Sequence, residues 1–339
     1  MRHILLNTAA ALVTVIGLTN TVWAQEFSFR FQSSDPAGNP NFEYQKAWTE
    51  LVSERSGGKV TIELLPVGSV VEYNETLDAV AGGILDGQIC DSSYWAGKDP
   101  AFGLISNPVG AWSDPSQMID FVENGGGKEI MQELLGSYGL HFIGVTTPGL
   151  EAFVSRVPLN GVEDLKGVKV RSPEGPIANV FAAAGAAPVN LPASEVYTSL
   201  DKGVVDAADY SVFSVNQQQG LNKVANHPVY PGFHSLPLVE VSMNKAKWDA
   251  LPEDIKTMLQ ETVKEFQQNQ VNGLKAADEK ALEEARADSS ITIHDWSAEE
   301  RTKFRTIAVA EWERIAQGSP MSQKVFDTLT GYLKAKGLL

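Results

Sequence analysis

The chain has 339 residues, with 42 acidic against 27 basic side chains and a formal net charge of −15. That balance repels phosphate backbones and anionic lipid, and so argues against nucleic acid and membrane-surface binding. The one cysteine, Cys90, has no partner for an internal disulfide, so the fold must stand on its core.

Arg2 and His3 precede an apolar stretch from Ile4 to Leu18, and Val22-Trp23-Ala24 closes it before Gln25. This is the pattern of an export signal over residues 1–24. The stretch is too short, and too interrupted by Asn7, Thr8 and Asn20, to serve as a permanent span. About 315 residues remain after cleavage, which suits two lobes better than one.

Glu26 to Gln32 alternates strictly and predicts a strand, broken by Pro36, Gly38 and Pro40. Tyr44, Ala47, Trp48 and Leu51 fall at helical spacing, and Ser56-Gly57-Gly58 ends that helix. Lys59 to Leu65 is the next strand, Glu75 to Gly82 a short helix, and Gly87 to Ser92 a third strand holding Cys90. The alternation indicates β-α-β units and a largely parallel sheet.

The pattern then restarts. Leu140–Thr146, Glu151–Arg156, Gly167–Arg171, Ala187–Leu191 and Val204–Ala208 read as strands, with helices at Ile177–Ala184 and Glu195–Lys202 between them. Leu238 to Met243 alternates as a strand returning to the first lobe. Pro252 to Ala287 carries a long helical stripe that begins Ile255, Met258, Leu259, Val263, Phe266. Helices follow at Ala298–Gln317 and Ser322–Lys336. The expected class is α/β, two-lobed, with one long helix spanning both lobes. The first lobe takes residues 25–150 with a return segment at about 236–265. The second takes 151–235 with the C-terminal helices at about 266–339, which are also the expected face for a homodimer.

No Gly-x-Ser-x-Gly elbow, His-Glu-x-x-His or phosphate loop occurs, so nothing argues for catalysis. His141, His227, His234 and His294 stand far apart, without metal-ligand spacing. Arg171 ends a strand just before a helix. Its planar fork suits a carboxylate, although an ion pair with a neighbouring acid is an equal reading. Asp209, followed by Tyr210, and Glu240 offer oxygen ligands to Na⁺ or Ca²⁺; alternatively Asp209 caps a helix and Glu240 pairs with a lysine. Tyr94-Trp95 follows the third strand, where parallel sheets place ligand contacts, or where a hinge packs.

Residues 163–171 (Glu163-Asp164-Leu165-Lys166-Gly167-Val168-Lys169-Val170-Arg171), with Gly185–Val189, Pro192–Tyr197 and Gly203–Ala207, resemble the solute-binding (DctP-type) subunit of tripartite ATP-independent periplasmic (TRAP) transporters. The resemblance covers nearly the whole mature chain. Ser93–Phe102, Tyr230–His234 and Leu251–Asp254 are similar to the branch that binds α-keto acids and lactate. It implies that Arg171 grips the ligand carboxylate. It also implies that Asp209, the Tyr210 backbone and Glu240 hold a bridging Na⁺ or Ca²⁺. Tyr94, Trp95, Leu150, Glu151, Tyr210 and Phe233 are its implied ligand contacts. Two positions depart: the usual Glu-Trp pair is Asp209-Tyr210, and the branch's cleft Gln falls on about Leu150, beside Glu151.

The expectation is a periplasmic binder, in a Gram-negative cell, of a small 2-oxo or 2-hydroxy monocarboxylate. It would deliver that acid to the small and large membrane subunits of a TRAP permease, without turning it over. An exported sensor adaptor for a membrane kinase, or a periplasmic lyase or isomerase on the same lobes, are the alternative readings.

Overall fold

The computed structural model describes residues 26–173 and 175–339. The expected signal segment therefore lies outside the described residues. In the first half run β1 (Phe27–Ser33), α1 (Pro40–Arg55), β2 (Val60–Leu65), α2 (Thr76–Ala81), β3 (Gly87–Asp91), α3 (Pro100–Ser106), α4 (Pro115–Asn124), α5 (Gly127–Ser137) and β4 (Leu140–Thr146). Then follow β5 (Ala152–Ser155), β6 (Lys169–Ser172), α6 (Pro176–Ala183), β7 (Ala187–Asn190), α7 (Val196–Asp201), β8 (Ala207–Ser211), α8 (Phe213–Gln218) and α9 (Leu221–Val224). The chain closes with β9 (Val239–Asn244), α10 (Lys245–Asp249), α11 (Glu253–Ala287), α12 (Ala298–Ala316) and α13 (Pro320–Ala335).

Two sheets result, in the orders β2-β1-β3-β9-β4 and β5-β8-β6-β7. β2, β1 and β3 run parallel to one another, as do β8, β6 and β7, as the alternation predicts. β9 is antiparallel to both of its neighbours, and β5 is antiparallel to β8. These strands follow the crossings between sheets, so they enter from the opposite end. The structure is thus a mixed α/β fold with two sheets, as expected.

Four helices begin by one device. Asn39, Asp99, Asp114 and Ser319 each cap an N-terminus with the side chain, and a proline follows at the first helical position. The proline has no N–H to leave unpaired there. Helices α3, α4 and α5 escape the sequence reading because α3 is buried all round and the other two meet at the glycines 125–127.

The strand expected at Val204–Ala208 is shifted to Ala207–Ser211. The backbone N–H groups of Val204 and Val205 both turn back to the Ser199 carbonyl, so these residues form the turn after α7. Among the 35 residues of α11, Leu259, Val263 and Phe266 pack on the first sheet with Trp48. Farther along, Leu274 meets Val212 and Val215, and Ala281 and Ala285 meet Phe213. At ~1.5 Å per residue the helix is about 50 Å long and joins both halves.

The C-terminal helices do not belong wholly to the second half. α12 lies on α6 and α3, and α13 lies on α3 and α5. The Tyr332 ring sits edge-on to Trp112 and Phe121, 6.2 and 5.3 Å away, which ties α13 to the first half. Among the described residues, α12 and α13 expose no large hydrophobic side chain, so the expected dimer face is polar.

Candidate functional site

A cleft of about 750 Å³ opens between the carboxyl ends of strands from both sheets. Ser34 and Pro36 after β1, and Ser93, Tyr94 and Trp95 after β3, line one side. Arg171 near the end of β6, with Asn190 closing β7 and Leu191 after it, lines the other. This is where parallel strands converge on a ligand.

Arg171 is 4% exposed. Its Nε donates to the Leu191 carbonyl at 3.0 Å and its Nη1 to the Asp209 carbonyl at 2.6 Å. Both acceptors are backbone oxygens, and among the described residues no carboxylate pairs with the guanidinium. Among the described residues nothing accepts from Nη2, and the outer edge of the fork remains for a ligand carboxylate. Arg171 thus forms no ion pair among the described residues.

Next to Arg171 lies a cluster of which the sequence named Asp209 as a cation ligand and Glu151 as a ligand contact, but not His234. Glu151, Asp209 and His234 each offer a ligand atom, and these atoms lie within 4.8 Å of one another. His234 Nε2 is 2.9 Å from Asp209 Oδ1, while its Nδ1 is buried without a partner. Burial first, then the neighbouring Asp209, pushes the Glu151 carboxyl well above the usual range, so it keeps its proton. Burial would raise Asp209 too, but the His234 hydrogen bond and charge, with Glu151 and Arg171, outweigh it and hold Asp209 low. One site thus holds a neutral and an ionised carboxyl side by side.

The predicted residues divide. Tyr94 and Trp95 line the cleft, although the Trp95 indole packs on Phe102 with centroids 5.6 Å apart. Burial raises the Tyr94 phenol, which lies in the field of Asp91 and Arg171. Tyr210 is half-buried and outside the cleft lining; its phenol hydrogen-bonds Asn39. Leu150 is also outside the lining, packed against the core.

Phe233 is a core residue and not a cleft contact. Its ring stacks on Trp296 with centroids 3.8 Å apart and meets Phe153 and Phe304 edge-on. Glu240 is likewise not part of the cation cluster. It lies opposite Cys90 in the first sheet and accepts from Gln88 Nε2 at 2.6 Å, wholly buried. Alternation along β9 sends Val239 and Val241 to one face and Glu240 to the other, into the core. His234 joins the cluster instead, from the Tyr230–His234 segment. Asp35 and Asp91 were also missed; burial raises Asp35 to about 6, and raises Asp91 as well.

The donor set of two carboxyl groups and an imidazole fits a cation, although all three residues are buried and none of them lines the cleft. The oxygens suit Ca²⁺ or Na⁺, and the imidazole adds affinity for Mn²⁺ or Zn²⁺.

Two sheets flanking one cleft, with a buried arginine in its wall, define the class of a solute-binding protein. Residues 31–319 match the model of DctP, bacterial extracellular solute-binding protein, family 7, and the chain belongs to that family, whose members serve TRAP transporters. A monocarboxylate 2-oxoacid-binding periplasmic protein of a Nostoc species is 28% identical over 293 residues, 83% of this chain and 80% of that protein. A TRAP periplasmic solute-binding protein of Rhodobacter sphaeroides, in an apo open structure, is 69% identical, covering 92% of this chain and 99% of its own at a TM-score of 0.78. Another, of Colwellia psychrerythraea with bound calcium and pyruvate, is 23% identical, covering 91% of this chain and 94% of its own at a TM-score of 0.82.

Proposed function

We propose that this chain captures a 2-oxo or 2-hydroxy monocarboxylate in the periplasm, after removal of residues 1–24, and delivers it to a TRAP permease. The observation that carries the reading is Arg171, whose Nε and Nη1 are fixed by backbone carbonyls while Nη2 has no acceptor among the described residues. Held in this way, the fork is preorganised, and little entropy is lost when the carboxylate arrives.

A cation held by Glu151, Asp209 and His234 adds the second positive centre, next to the 2-oxo or 2-hydroxy oxygen. The calcium and pyruvate bound by the Colwellia relative support this pairing. The Nostoc relative's 2-oxoacid ligands support the ligand class. Ligand contacts from both sheets stabilise only the closed arrangement, so binding shifts the open–closed equilibrium.

Titration calorimetry of the metal-loaded protein with pyruvate and lactate tests the reading, with Arg171→Ala as the control. Micromolar affinity, about −8 kcal/mol, is expected of the parent. Equal binding by both proteins would sink the proposal.

A further inference from the structure

His227 and His294, 67 residues apart in sequence, meet ring to ring in the fold. Paired backbone puts them there. The His294 N–H donates to the Pro228 carbonyl and the Tyr230 N–H to the His294 carbonyl, each at 2.8 Å. Thr292 N–H donates to the Asn226 carbonyl, and His227 N–H to the Ser155 carbonyl at the end of β5, both at 2.9 Å. Two half-buried imidazoles therefore stand on fixed backbone.

His227 Nδ1 lies 3.1 Å from His294 Nε2. A chain of contacts behind His294 decides which of its nitrogens carries the proton. Asp164 accepts from the Asn160 backbone N–H at 2.7 Å and from Asn160 Nδ2 at 3.5 Å. That turns Asn160 Oδ1 toward His294 Nδ1, 2.9 Å away. An amide oxygen only accepts, so Nδ1 is protonated and Nε2 keeps its lone pair. Burial, then the facing His227, holds the His294 imidazole below its usual range against the pull of Asp164, so the ring is neutral in neutral solution. An oriented, neutral imidazole backed by a hydrogen-bond acceptor is how proteins prepare a histidine for a metal ion. Two nitrogens bound to one ion at ~2.0–2.1 Å stand about 2.9–3.4 Å apart, and the observed separation falls inside that interval.

We propose that His227 Nδ1 and His294 Nε2 form a second cation site, for a divalent transition ion such as Zn²⁺ or Cu²⁺, separate from the buried Glu151–Asp209–His234 cluster. Without the ion, His227 Nδ1 donates its proton to His294 Nε2. On binding, that proton moves to His227 Nε2, so both facing lone pairs reach the ion while each ring stays neutral. Among the described residues no third histidine, cysteine or carboxylate completes the set, and water fills the remaining positions. The ion ties the segment between α11 and α12 to the one that leads into Tyr230–His234.

Equilibrium dialysis of the metal-stripped protein against Zn²⁺ or Cu²⁺ alone tests it, in a His234→Gln background so that the buried cluster loses its imidazole. That protein should hold one ion per chain, and its melting temperature should rise with Zn²⁺. Adding His227→Gln or His294→Gln should remove both the ion and the rise. The paramagnetic resonance spectrum of the Cu²⁺ form should show two imidazole nitrogens. Asn160→Ala, which spares both ligands but frees the His294 ring, should weaken the ion about tenfold or more, and it decides the matter if the histidine variants fail to fold. Equal ion binding with and without the two histidines, a copper spectrum with fewer than two imidazole nitrogens, or an unchanged affinity in Asn160→Ala overturns the proposal.

Discussion

His234 Nε2 lies 2.9 Å from Asp209 Oδ1, and neither side chain reaches solvent to any useful extent. The contact joins the turn before β9 to the end of β8, across 25 residues of chain. A buried carboxylate with one imidazole and a protonated Glu151 around it sits at the balance point between holding a proton and holding a metal ion.

The first prediction follows from that pair. Exhaustive chelation in Na⁺-free buffer should weaken ligand binding, and Ca²⁺ or Na⁺ should restore it. Mn²⁺ or Zn²⁺ should restore it at lower concentration, because imidazole prefers them. His234→Gln should abolish that preference while keeping the Ca²⁺ response. Metal content by mass spectrometry and ligand affinity by calorimetry check both halves. Affinity indifferent to chelation would remove the cation from the account.

Arg171→Ala should cost roughly 2–5 kcal/mol of ligand affinity, since the carboxylate is left buried and unpaired. Arg171→Lys should recover little, because an ammonium cannot occupy the places of Nε and Nη1 against Leu191 and Asp209 and also hold a fork. Circular dichroism of both variants should match the parent. Near-native affinity in either variant would contradict the clamp.

Much of this was legible in the chain. Strand and helix periodicity gave the two sheets and the long α11, because those elements bury one regular face. The place of Arg171, near a strand end before a helix, was legible because that is a local pattern, while its role as a carboxylate clamp came only from the resemblance. The cation cluster was not, since Glu151, Asp209 and His234 come from three segments and only the chain crossings bring them together. His234 was hidden next to Phe233: in the same short segment the aromatic ring turns into the core and the imidazole to the site. Glu240 misled for a similar reason. A carboxylate in a strand gives no sign of which face it takes until its neighbours are paired.

Glu240 gives a pH prediction. Burial raises its carboxyl to about 8, far above its unfolded value, so the folded state holds a proton that the unfolded state has lost. Stability linked to this group is full below about pH 4.5 and is lost as pH rises toward 8. Glu240→Gln keeps the shape and removes the titration. The variant should melt near the parent at pH 5 and above it at pH 8, with a gain of order several kcal/mol. Parallel melting curves across that range would mean that the side chain is ionised and matched in the core.

Phe233→Ala should destabilise the fold by about 3–5 kcal/mol, the usual cost of a large buried ring. Its stacking on Trp296 and contacts with Phe153 and Phe304 are lost together. Ligand affinity, measured well below the lowered melting temperature, should change far less than in Arg171→Ala. The reverse order of effects would return Phe233 to the cleft.

Closure is the last expectation. The Rhodobacter sphaeroides relative is 69% identical, yet its apo open form superposes at a TM-score of only 0.78. The cleft has Tyr94 on one wall and Arg171 with Leu191 on the other, and a ligand touching both walls favours the form in which they approach. Small-angle scattering should therefore give a smaller radius of gyration with saturating ligand than without. Melting temperature should rise with ligand concentration, by about 2.7 kcal/mol of stability at a hundredfold excess over Kd. Trp95 should report closure as a fluorescence change, with Trp95→Phe separating its signal from that of Trp48 and Trp248. Identical scattering with and without ligand, alongside a melt that does shift, would mean that the ligand enters an arrangement already closed.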